Sequence, residues 1–425
     1  MISIHSPFTD QSSTCKAGDV PIAACPPVRS SDEEFSDQST RSVATPLKIK
    51  MATTETEKEE IYRLRYQVYI EEMEGQRRHV EADVAARQLR DEWDGRAHHF
   101  YIREDGIVVA CARVVLRRDG PLECEEEFDL EQFSPAFPDH VCMTSRLALH
   151  PRIRGTHFLK QITCAIYQFW CEQGIQFSFI DCHTRLLPLY SRLGFRTYRT
   201  GFNHSKYTYV IPMVLVVNDL EHLEQVRSPF APFGRRFSHS TEGRQLLFSK
   251  FPQSMPVQRD SHRQIVDPRD ALLASLLDPT RTPERCEMLD GLTLEDVRLL
   301  SSLGHIIPCK AGSAVLREGD PGREIFLILE GSFQVRGQLR SPSEGRISIS
   351  KILAMGSVFG EIRFLTEGIR YASVVAIEDS TVLILNARAM DRLVTVAPKM
   401  AAKVFRNIAR IVATRLCHAV GVHGS

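Results

Sequence analysis

The chain has 425 residues, of which 43% are hydrophobic and 25% are charged. This length and composition predict more than one globular unit and exclude a fibrous repeat or wholesale disorder. The 53 basic and 53 acidic residues balance, so we expect no general attraction to nucleic acid or to an anionic membrane. No stretch reaches the roughly 20 apolar residues of a bilayer helix. With no secretion signal near the start, this predicts a cytoplasmic protein.

Patterning divides the chain into four segments. Residues 1–48 mix Ser, Thr, Pro and Asp without a period, which predicts a disordered tail. Residues 49–250 alternate strand and helix patterns, which predicts an α/β domain with a mixed sheet and flanking helices. The Pro-, Ser- and Arg-rich stretch 251–285 has the composition of a linker. Short strands and glycine turns in 286–425 predict an α+β domain with a β-roll or jelly-roll barrel and a closing helix.

The first elements of the α/β segment have clear local signals. From Thr56 the apolar residues recur at helical spacing, which predicts an amphipathic helix. Two apolar runs then flank Glu104-Asp105-Gly106, which predicts a β-hairpin with a tight turn. The strand CMTSRLALH, the basic turn PRIRGTH and a long helix follow, and strands and helices alternate as far as Val217.

Two motifs in this segment have the chemistry of acyl transfer from a thioester. Arg152, Arg154, Gly155 and Thr156 lie in the turn before the long helix, where free backbone amides and the helix dipole favour phosphate groups. Tyr190 lies one helical turn before Leu-Gly-Phe, and its hydroxyl can protonate a departing thiolate.

Together these motifs resemble the acetyl-coenzyme A-binding core of GNAT acyltransferases, with the turn [QR]-x-x-G-x-[GA] and the later motif Y-x-x-L-G-F. The resemblance implies acyl-CoA or an acyl-carrier protein as the donor and a small-molecule amine as the acceptor. This chain has RIRGTH, so His157 occupies the last small position of the turn. A histidine at this position hinders close backbone approach to coenzyme A, and it is more easily tolerated if the donor is an acyl-carrier protein.

Further landmarks resemble the acyl-homoserine-lactone synthases and the related N-acyl amino acid synthases. They are RYQVYIEE, DEWD, CARV and TSR, and the continuation RLALHP with the later SPF favours the amino acid branch. Met143 stands where the lactone synthases have a glutamate. The resemblance implies that five charged residues shape the donor and acceptor sites: Arg65, Asp91, Asp94, Arg113 and Arg146.

The chemistry of amide formation suggests roles for some of these residues. An amine must be neutral to attack a thioester, so we expect a carboxylate or a water chain that removes a proton, with Asp94 or Asp91 as the candidates. Arg146 is a candidate catalytic residue, and a backbone amide between Arg146 and Leu149 is expected to bind the oxyanion. The alternative is that these charges form buried ion pairs that tie the first helix to the sheet.

The segment FGEIRFLTEGIRYASVVA carries a second chemistry. Gly360 and Glu361 offer a ribose acceptor beside backbone amides, and Arg370 can pair with a phosphate. This segment resembles the cyclic-nucleotide-binding domain of cAMP receptor proteins and kinase regulatory subunits. The resemblance implies that Glu361 holds the ribose of cAMP or cGMP and Arg370 its phosphate. It also implies that Gly360, Ala372 and Ser373 contact the nucleotide.

Two positions depart from the nucleotide pattern, and one alternative stays open. Arg363 stands where a small residue usually faces the phosphate, and Tyr371 replaces the small residue that usually follows the phosphate-binding arginine, here Arg370. The alternative is a barrel that binds no nucleotide and pairs Glu361 with Arg370 internally. Only a few residues follow Val420, so we expect no helix-turn-helix and no role as a transcription factor.

The expected function is therefore an acyltransferase that is regulated by a cyclic nucleotide. The acceptor is an amino acid or similar amine, or alternatively a lysine of a protein. A different class of function is a nucleotide-sensing adaptor whose first domain has lost its chemistry, supported by His157 and Met143.

Overall fold

The structure is a computed structural model that describes residues 49–72, 81–237, 239–254, 268–278, 286–341, 345–366 and 368–419. The predicted tail 1–48 and most of the predicted linker lie outside these residues. The N-terminal part is a mixed α/β sheet with flanking helices, and the C-terminal part is a β-sandwich with a closing helix. The predicted fold class is confirmed.

The described strands of the N-terminal part are β1 (Lys50–Met51), β2 (Ala82–Asp83), β3 (Gln88–Leu89), β4 (His98–Glu104), β5 (Ile107–Leu116), β6 (Val141–Leu149), β7 (Phe177–Cys182), β8 (Arg196–Thr197), β9 (Phe202–Asn203) and β10 (Tyr209–Val216). The helices are α1 (Glu55–Tyr66), α2 (Glu125–Phe128), α3 (Phe158–Glu172), α4 (Leu187–Leu193), α5 (Leu220–Gln225), α6 (Ala231–Gly234) and α7 (Glu242–Lys250). The main sheet has the order β1-β4-β5-β6-β7-β10-β8, with β9 paired to β10 and with β2 and β3 as a separate ladder. Within the main sheet, β6 and β7 are parallel and the other neighbours are antiparallel.

Single turns of helix connect several of these elements. They are Gln67–Glu71, Glu92–Arg96, Arg117–Asp119, Leu130–Phe133, Pro151–Ile153, Thr184–Leu186, Pro252–Ser254 and Glu287–Leu289. The first has π geometry and the others have 3-10 geometry.

Local sequence accounts for the first elements. Thr54 and Glu57 form a reciprocal capping box that satisfies backbone amides at the start of α1. The predicted hairpin is confirmed: Asp105 and Gly106 both have positive φ, which matches the twist of the flanking strands β4 and β5.

Both faces of the main sheet are covered. The apolar side of α3 packs on one face through Ile162, Ile166 and Trp170. The other face carries a second cluster that includes Phe133 and Phe179. Since strand residues alternate between faces, Phe177, Phe179 and Asp181 of β7 lie on the second face.

The described strands of the C-terminal part are β11 (His305–Cys309), β12 (Ala314–Leu316), β13 (Ile325–Glu330), β14 (Phe333–Ser341), β15 (Gly345–Leu353), β16 (Val358–Phe359), β17 (Ala372–Ala376) and β18 (Ser380–Leu385). The helices are α8 (Pro268–Ser275), α9 (Leu294–Leu303), α10 (Glu361–Leu365), α11 (Ala387–Val396) and α12 (Pro398–Ala419). Two four-stranded antiparallel sheets have the orders β11-β18-β13-β16 and β12-β17-β14-β15. Helix α8 lies inside the stretch predicted as a linker, and its Leu273, with Leu276 just after it, is buried in the C-terminal core.

The two parts share one apolar core. Tyr209 of β10 is 2% exposed and packs in the same cluster as Ile307 and Cys309 of β11. Its hydroxyl donates to the carbonyl oxygen of Pro308 at 3.1 Å. The side-chain amide of Asn203 donates to the carbonyl oxygen of Gly312, in the turn before β12, and accepts from the backbone amide of Ala314 in β12. Because burial and hydrogen bonds cross this boundary, we expect the parts to stabilise each other.

We predict that Tyr209→Ala lowers the free energy of unfolding by about 3–5 kcal/mol, because it empties a buried aromatic site on which both parts pack. Urea unfolding measures this change. Tyr371→Ala is the matched control: its side chain is half exposed, so its effect should stay within about 0.5 kcal/mol. Equal effects of the two substitutions would contradict a shared core.

Candidate functional site

The strands β6 and β7 separate at their carboxyl ends. Their register runs from Val141 opposite Phe177 to Met143 opposite Phe179. Beyond this point no register pair joins them, although β6 continues to Leu149 and β7 to Cys182. The main sheet therefore has a gap at this edge, where backbone groups of both strands are available to another partner.

A β-bulge in β6 lies beside this gap. Arg146 has φ of 55°, and the register with β5 shifts between the pairs Cys111–Ala148 and Arg113–Ser145. A positive φ at a residue other than glycine is strained, and such strain is found mainly at functional sites. The bulge removes one residue from the regular ladder.

The predicted basic turn follows β6 directly. Gly155 has φ of 76°, and a Cβ there would meet nothing within 4 Å, so the turn presents an open surface. Arg152 contacts Glu104, and Arg154 contacts Glu72, with both guanidinium groups partly exposed. The hydroxyl of Thr156 is engaged with the carbonyl oxygen of Ile153. The 15-residue helix α3 begins at Phe158, so its free amides face the same turn.

Tyr190 lies on α4, which follows β7. Adjacent parallel strands end at the same edge of a sheet, so the basic turn and Tyr190 share the edge where β6 and β7 separate. The Tyr190 ring packs edge-to-face on Phe195. Burial raises the pKa of Tyr190 well above its ordinary value, with further contributions from Cys182, Tyr69 and Asp181. The phenol is therefore protonated at neutral pH, as a proton donor requires.

The five charged landmarks form one buried network. Arg65 donates to Asp94 at 2.7 Å, and Arg113 bonds to both Asp94 and Asp91. Arg146 donates to Asp91 at 2.6 Å. The sequence-based alternative of buried ion pairs thus describes these contacts, which tie α1 and the 3-10 turn Glu92–Arg96 to β5 and β6.

The network does not suit Asp94 for proton abstraction. Burial by itself would raise the pKa of Asp94, but Arg65 and Arg113 outweigh it and hold the pKa well below the ordinary value. The pKa of Asp91 is lowered in the same way, by Arg113 and Arg146 against burial. Carboxylates held this strongly ionised are weak bases, so the structure argues against the predicted base role of Asp94 and of Asp91.

Arg146 keeps one unsatisfied group. Its side chain is 4% exposed, and among the residues that the structure describes its Nη1 atom has no hydrogen-bond partner. The guanidinium lies over the rings of Tyr69 and Tyr207, each 5.8 Å from its centroid. A buried guanidinium nitrogen without an acceptor favours an anionic ligand at this point.

Several residues near the gap were not singled out from the sequence. Glu123 lies 2.9 Å from Lys206 and 3.5 Å from Arg113, and the His204 ring lies 3.7 Å from Glu123. His204 also interacts electrostatically with Asp181. Asp181 is the one charged residue in the largely apolar strand segment FSFIDC, and this lone charge was the available signal. The others lie in loops, where spacing in sequence gives no information about proximity.

In the nucleotide cassette, Arg370 is 2% exposed, and both terminal nitrogens of its guanidinium are engaged. Its Nε atom has no hydrogen-bond partner among the described residues. Its Nη2 atom lies 2.6 Å from Glu324 Oε2, and its Nη1 atom donates to the carbonyl oxygens of Glu324 and Gly360. The alternative of an internal pair between Arg370 and Glu361 is therefore not found, because Glu324, just before β13, bonds to the guanidinium.

The remaining cassette residues surround this pair. Glu361, 4% exposed, accepts from Arg415 of the closing helix α12 at 2.6 Å. Gly360 has φ of 82°, and a Cβ there would lie 2.8 Å from Arg370, so glycine is required. Ala372 and Ser373 lie on β17, where the Ser373 hydroxyl accepts from the amide of Glu318. Tyr371 is 50% exposed and does not fill the barrel.

A cleft lies between the nucleotide cassette and the edge of the main sheet where β6 and β7 separate. It is lined by His183, Thr184 and Arg185, and by Asp320, Pro321 and Glu324. The first three connect β7 to the helix of Tyr190, and the last three precede β13. A second contact joins Ser191 to His305 at 3.3 Å. The partner of Arg370 therefore lies on the wall of a cleft that adjoins the segment holding Tyr190.

Family models match both parts of the chain. Residues 64–163 match the acetyltransferase (GNAT) domain, and residues 306–396 match the cyclic nucleotide-binding domain. The chain thus combines a GNAT acetyltransferase domain with a cyclic-nucleotide-binding domain, as predicted. The N-acyl amino acid synthase branch stays a prediction.

Known proteins resemble part of the chain. The cyclic AMP receptor protein of Thermus thermophilus is 30% identical over 129 residues, which are 30% of this chain and 56% of that protein. A cyclic-nucleotide-binding domain from Methylobacillus flagellatus is 25% identical, with a TM-score of 0.30, over 35% of this chain and 80% of that one. A cAMP-binding acyltransferase from Mycobacterium smegmatis is 23% identical, with a TM-score of 0.26, over 35% and 42%. The chain spans about half the length of the receptor protein that it matches.

The described part of the chain contains no helix with the length and apolar composition needed to cross a membrane.

We predict that Asp94→Asn lowers the free energy of unfolding by about 3–5 kcal/mol at pH 7, because it leaves Arg65 and Arg113 buried without their shared anion. The low pKa of Asp94 means that its stabilisation is present above the unfolded pKa of about 3.9 and is lost as the pH falls below it. The difference between wild type and variant should therefore shrink below pH 4, as measured by urea unfolding. Asp391→Asn, at an exposed site, is the control.

Proposed function

We propose that this protein transfers an acyl group from a thioester to an amine and that a cyclic nucleotide in the C-terminal domain changes this activity. The observation that carries the proposal is the shared position of the basic turn and Tyr190. Both lie at the edge where β6 and β7 separate, so one extended thioester can contact them together.

The turn supplies anion contacts for the donor. Arg152 and Arg154 are paired with surface carboxylates, and exposed pairs of this kind exchange readily for a phosphate because they contribute little stability. The amides at the start of α3 add to the positive potential. His157 is exposed at the end of the turn, so its ring need not block backbone approach by either acyl-CoA or an acyl-carrier protein.

The gap supports the chemistry of the transfer. At the bulge, backbone groups near Arg146 do not take part in the regular ladder between β5 and β6. The thioester carbonyl would lie at this point, so a backbone amide beside Arg146 is favoured as the hydrogen-bond donor to the oxyanion. Tyr190 can then give its proton to the sulfur as the carbon–sulfur bond breaks.

The unsatisfied Nη1 atom of Arg146 favours an acceptor that carries a carboxylate beside its amine. A free amino acid has this arrangement, whereas the side chain of a protein lysine does not. The flanking rings of Tyr69 and Tyr207 would hold the apolar part of such an acceptor. An amino acid acceptor is therefore our proposal, and a protein lysine is the alternative that product analysis tests.

Nucleotide binding would rearrange two ion pairs. A cyclic phosphate can bond to Arg370 by displacing the Glu324 carboxylate, and a ribose hydroxyl can bond to Glu361 in competition with Arg415. The first exchange frees a charge on the wall of the interdomain cleft, and the second releases a contact of the closing helix. Since a ligand shifts a protein only through such differential contacts, these two exchanges supply the regulatory step.

The adaptor function is the second candidate. It rests on Met143, which removes the glutamate expected in β6, and on His157 in the donor turn. It predicts that the domain binds acyl donors without releasing thiol.

We predict that Tyr190→Phe lowers kcat for thiol release by about 10²–10⁴-fold, because the thiolate then departs without a proton donor. Acetyl-CoA, dodecanoyl-CoA and dodecanoyl-acyl-carrier protein are tested as donors with a mixture of the standard amino acids, with and without cAMP or cGMP. Mass spectrometry of the products identifies the acyl group and the acceptor. Absence of thiol release by the wild type with every donor and nucleotide would favour the adaptor.

We predict that Arg370→Ala weakens cAMP and cGMP binding by about 2–5 kcal/mol, the scale for removing a buried charged partner. Isothermal titration calorimetry measures the binding. Arg392→Ala is the matched control, because Arg392 is an exposed arginine on α11 of the same domain, outside the nucleotide cassette. Glu324→Gln removes the competing carboxylate and should leave binding as tight or tighter. Unchanged binding in Arg370→Ala would contradict the nucleotide assignment.

A further inference from the structure

Asp181 lies beside the place of the missing glutamate. Met143, which stands in that place, is the register partner of Phe179 on β7. Asp181 is two residues further along β7, so its side chain points to the same face of the sheet as Met143 and Phe179. It also lies beyond the last pair that joins β6 to β7, and it is partly exposed there. A carboxylate on β7 thus faces the region that a carboxylate on β6 would serve.

The other acidic groups around this face are held by cations. Asp91 and Asp94 pair with the buried arginines, and Glu123 pairs with Lys206 and Arg113. Glu81 pairs with Lys206 as well. Among the residues that the structure describes, Asp181 takes part in none of these salt bridges. It is therefore the carboxylate of this region whose basicity is not suppressed by a bonded cation.

His204 is excluded as the base by its own hydrogen bonds. Its Nδ1 atom accepts from the backbone amides of Lys206 and Tyr207 at 3.0 and 3.3 Å. In the neutral ring the proton is then on Nε2, which lies 3.7 Å from Glu123 and has no lone pair to offer. Burial lowers the pKa of His204, although Asp181 and Glu123 oppose this, so the neutral form dominates at pH 7.

The groups that face Asp181 come from several elements. His204 and Glu123 act on it from two loops, and Arg146 acts from β6. Asp181 in turn acts on Tyr190 of α4. Burial raises the pKa of Asp181; His204 and Arg146 oppose the rise, and Glu123 adds to it. A carboxylate with a raised pKa is a stronger base, while Asp181 remains close enough to influence the phenol of Tyr190.

Resting on the proposed function, we propose that Asp181 is the catalytic base that takes a proton from the acceptor ammonium group. The freed nitrogen lone pair forms the carbon–nitrogen bond, and the carbon–sulfur bond breaks with its electron pair moving to sulfur. Sulfur takes the Tyr190 proton, and the second proton lost by nitrogen restores the phenol. The proton on Asp181 then passes to water, so one amide, one thiol and one proton result from one thioester and one ammonium ion.

Asp181→Asn tests this role because it keeps the shape of the side chain and removes the basic oxygen. We expect kcat with the amino acid mixture to fall about 10²–10⁴-fold, with KM for dodecanoyl-CoA unchanged. The acid limb of the kcat/KM profile, where the wild type loses activity as the pH falls through the pKa of Asp181, should disappear. Asp181→Glu keeps a carboxylate and should restore part of the rate.

O-Methylhydroxylamine separates a base from a structural residue, because it is an acceptor that is already neutral at pH 7. Asp181→Asn should transfer the acyl group to it at close to the wild-type rate. Asp139→Asn, an exposed carboxylate of the same domain, is the control and should match wild type with both acceptors.

Three outcomes oppose the assignment and are distinguishable. Equal losses with both acceptors would mean that Asp181 only maintains the structure, and no loss would mean that another group is the base. A wild type that is inactive with every donor and acceptor would overturn the proposed function itself.

Discussion

The N-terminal domain depends on one buried electrostatic network. Three arginines share two aspartates at 0–4% exposure: Arg65, Arg113, Arg146, Asp91 and Asp94. Removing either aspartate leaves a buried arginine without its carboxylate partner, in a medium that solvates the charge poorly, so the members stabilise one another. The network also fixes Arg146 in a strained backbone conformation beside the gap between β6 and β7. The bulge and the proposed acceptor site therefore both include Arg146, a member of this network, and both lie beside the gap.

A second set of charges connects the nucleotide cassette to this edge. Arg370 and Glu361 are both occupied by protein groups, Glu324 and Arg415, so a nucleotide must exchange partners in order to bind. Glu324 lies on the wall of the cleft that leads to the segment before Tyr190. The two domains also share an apolar core through Tyr209. A movement of one wall of the cleft is therefore opposed by the packing of the domain that forms the other wall. This arrangement would provide a physical route for the proposed regulation through contacts between the domains.

The proposed base illustrates how a role can move between neighbouring strands. Met143 leaves β6 without a carboxylate, and Asp181 supplies one from β7, on the same face and nearer the gap. A comparison of motifs along the chain detects the loss but not the replacement, since the two residues are far apart in sequence. The adaptor function and the enzyme function differ mainly in whether Asp181 replaces the carboxylate that β6 lacks.

Local patterns in the sequence determined the elements and both types of domain. Hydrophobic periodicity, the Asp105-Gly106 turn, the basic turn before α3 and the cassette from Gly360 to Ser373 each depend on neighbours within a few residues, and such short-range signals are visible in the chain itself. The tertiary structure decided which charges meet. It assigned Asp94 to an ion pair, gave Arg370 to Glu324 and Glu361 to Arg415, and placed Asp181 on the same face of the sheet as Met143. These pairings join residues that are 19 to 54 positions apart and depend on sheet register and loop closure, which spacing along one sequence does not specify.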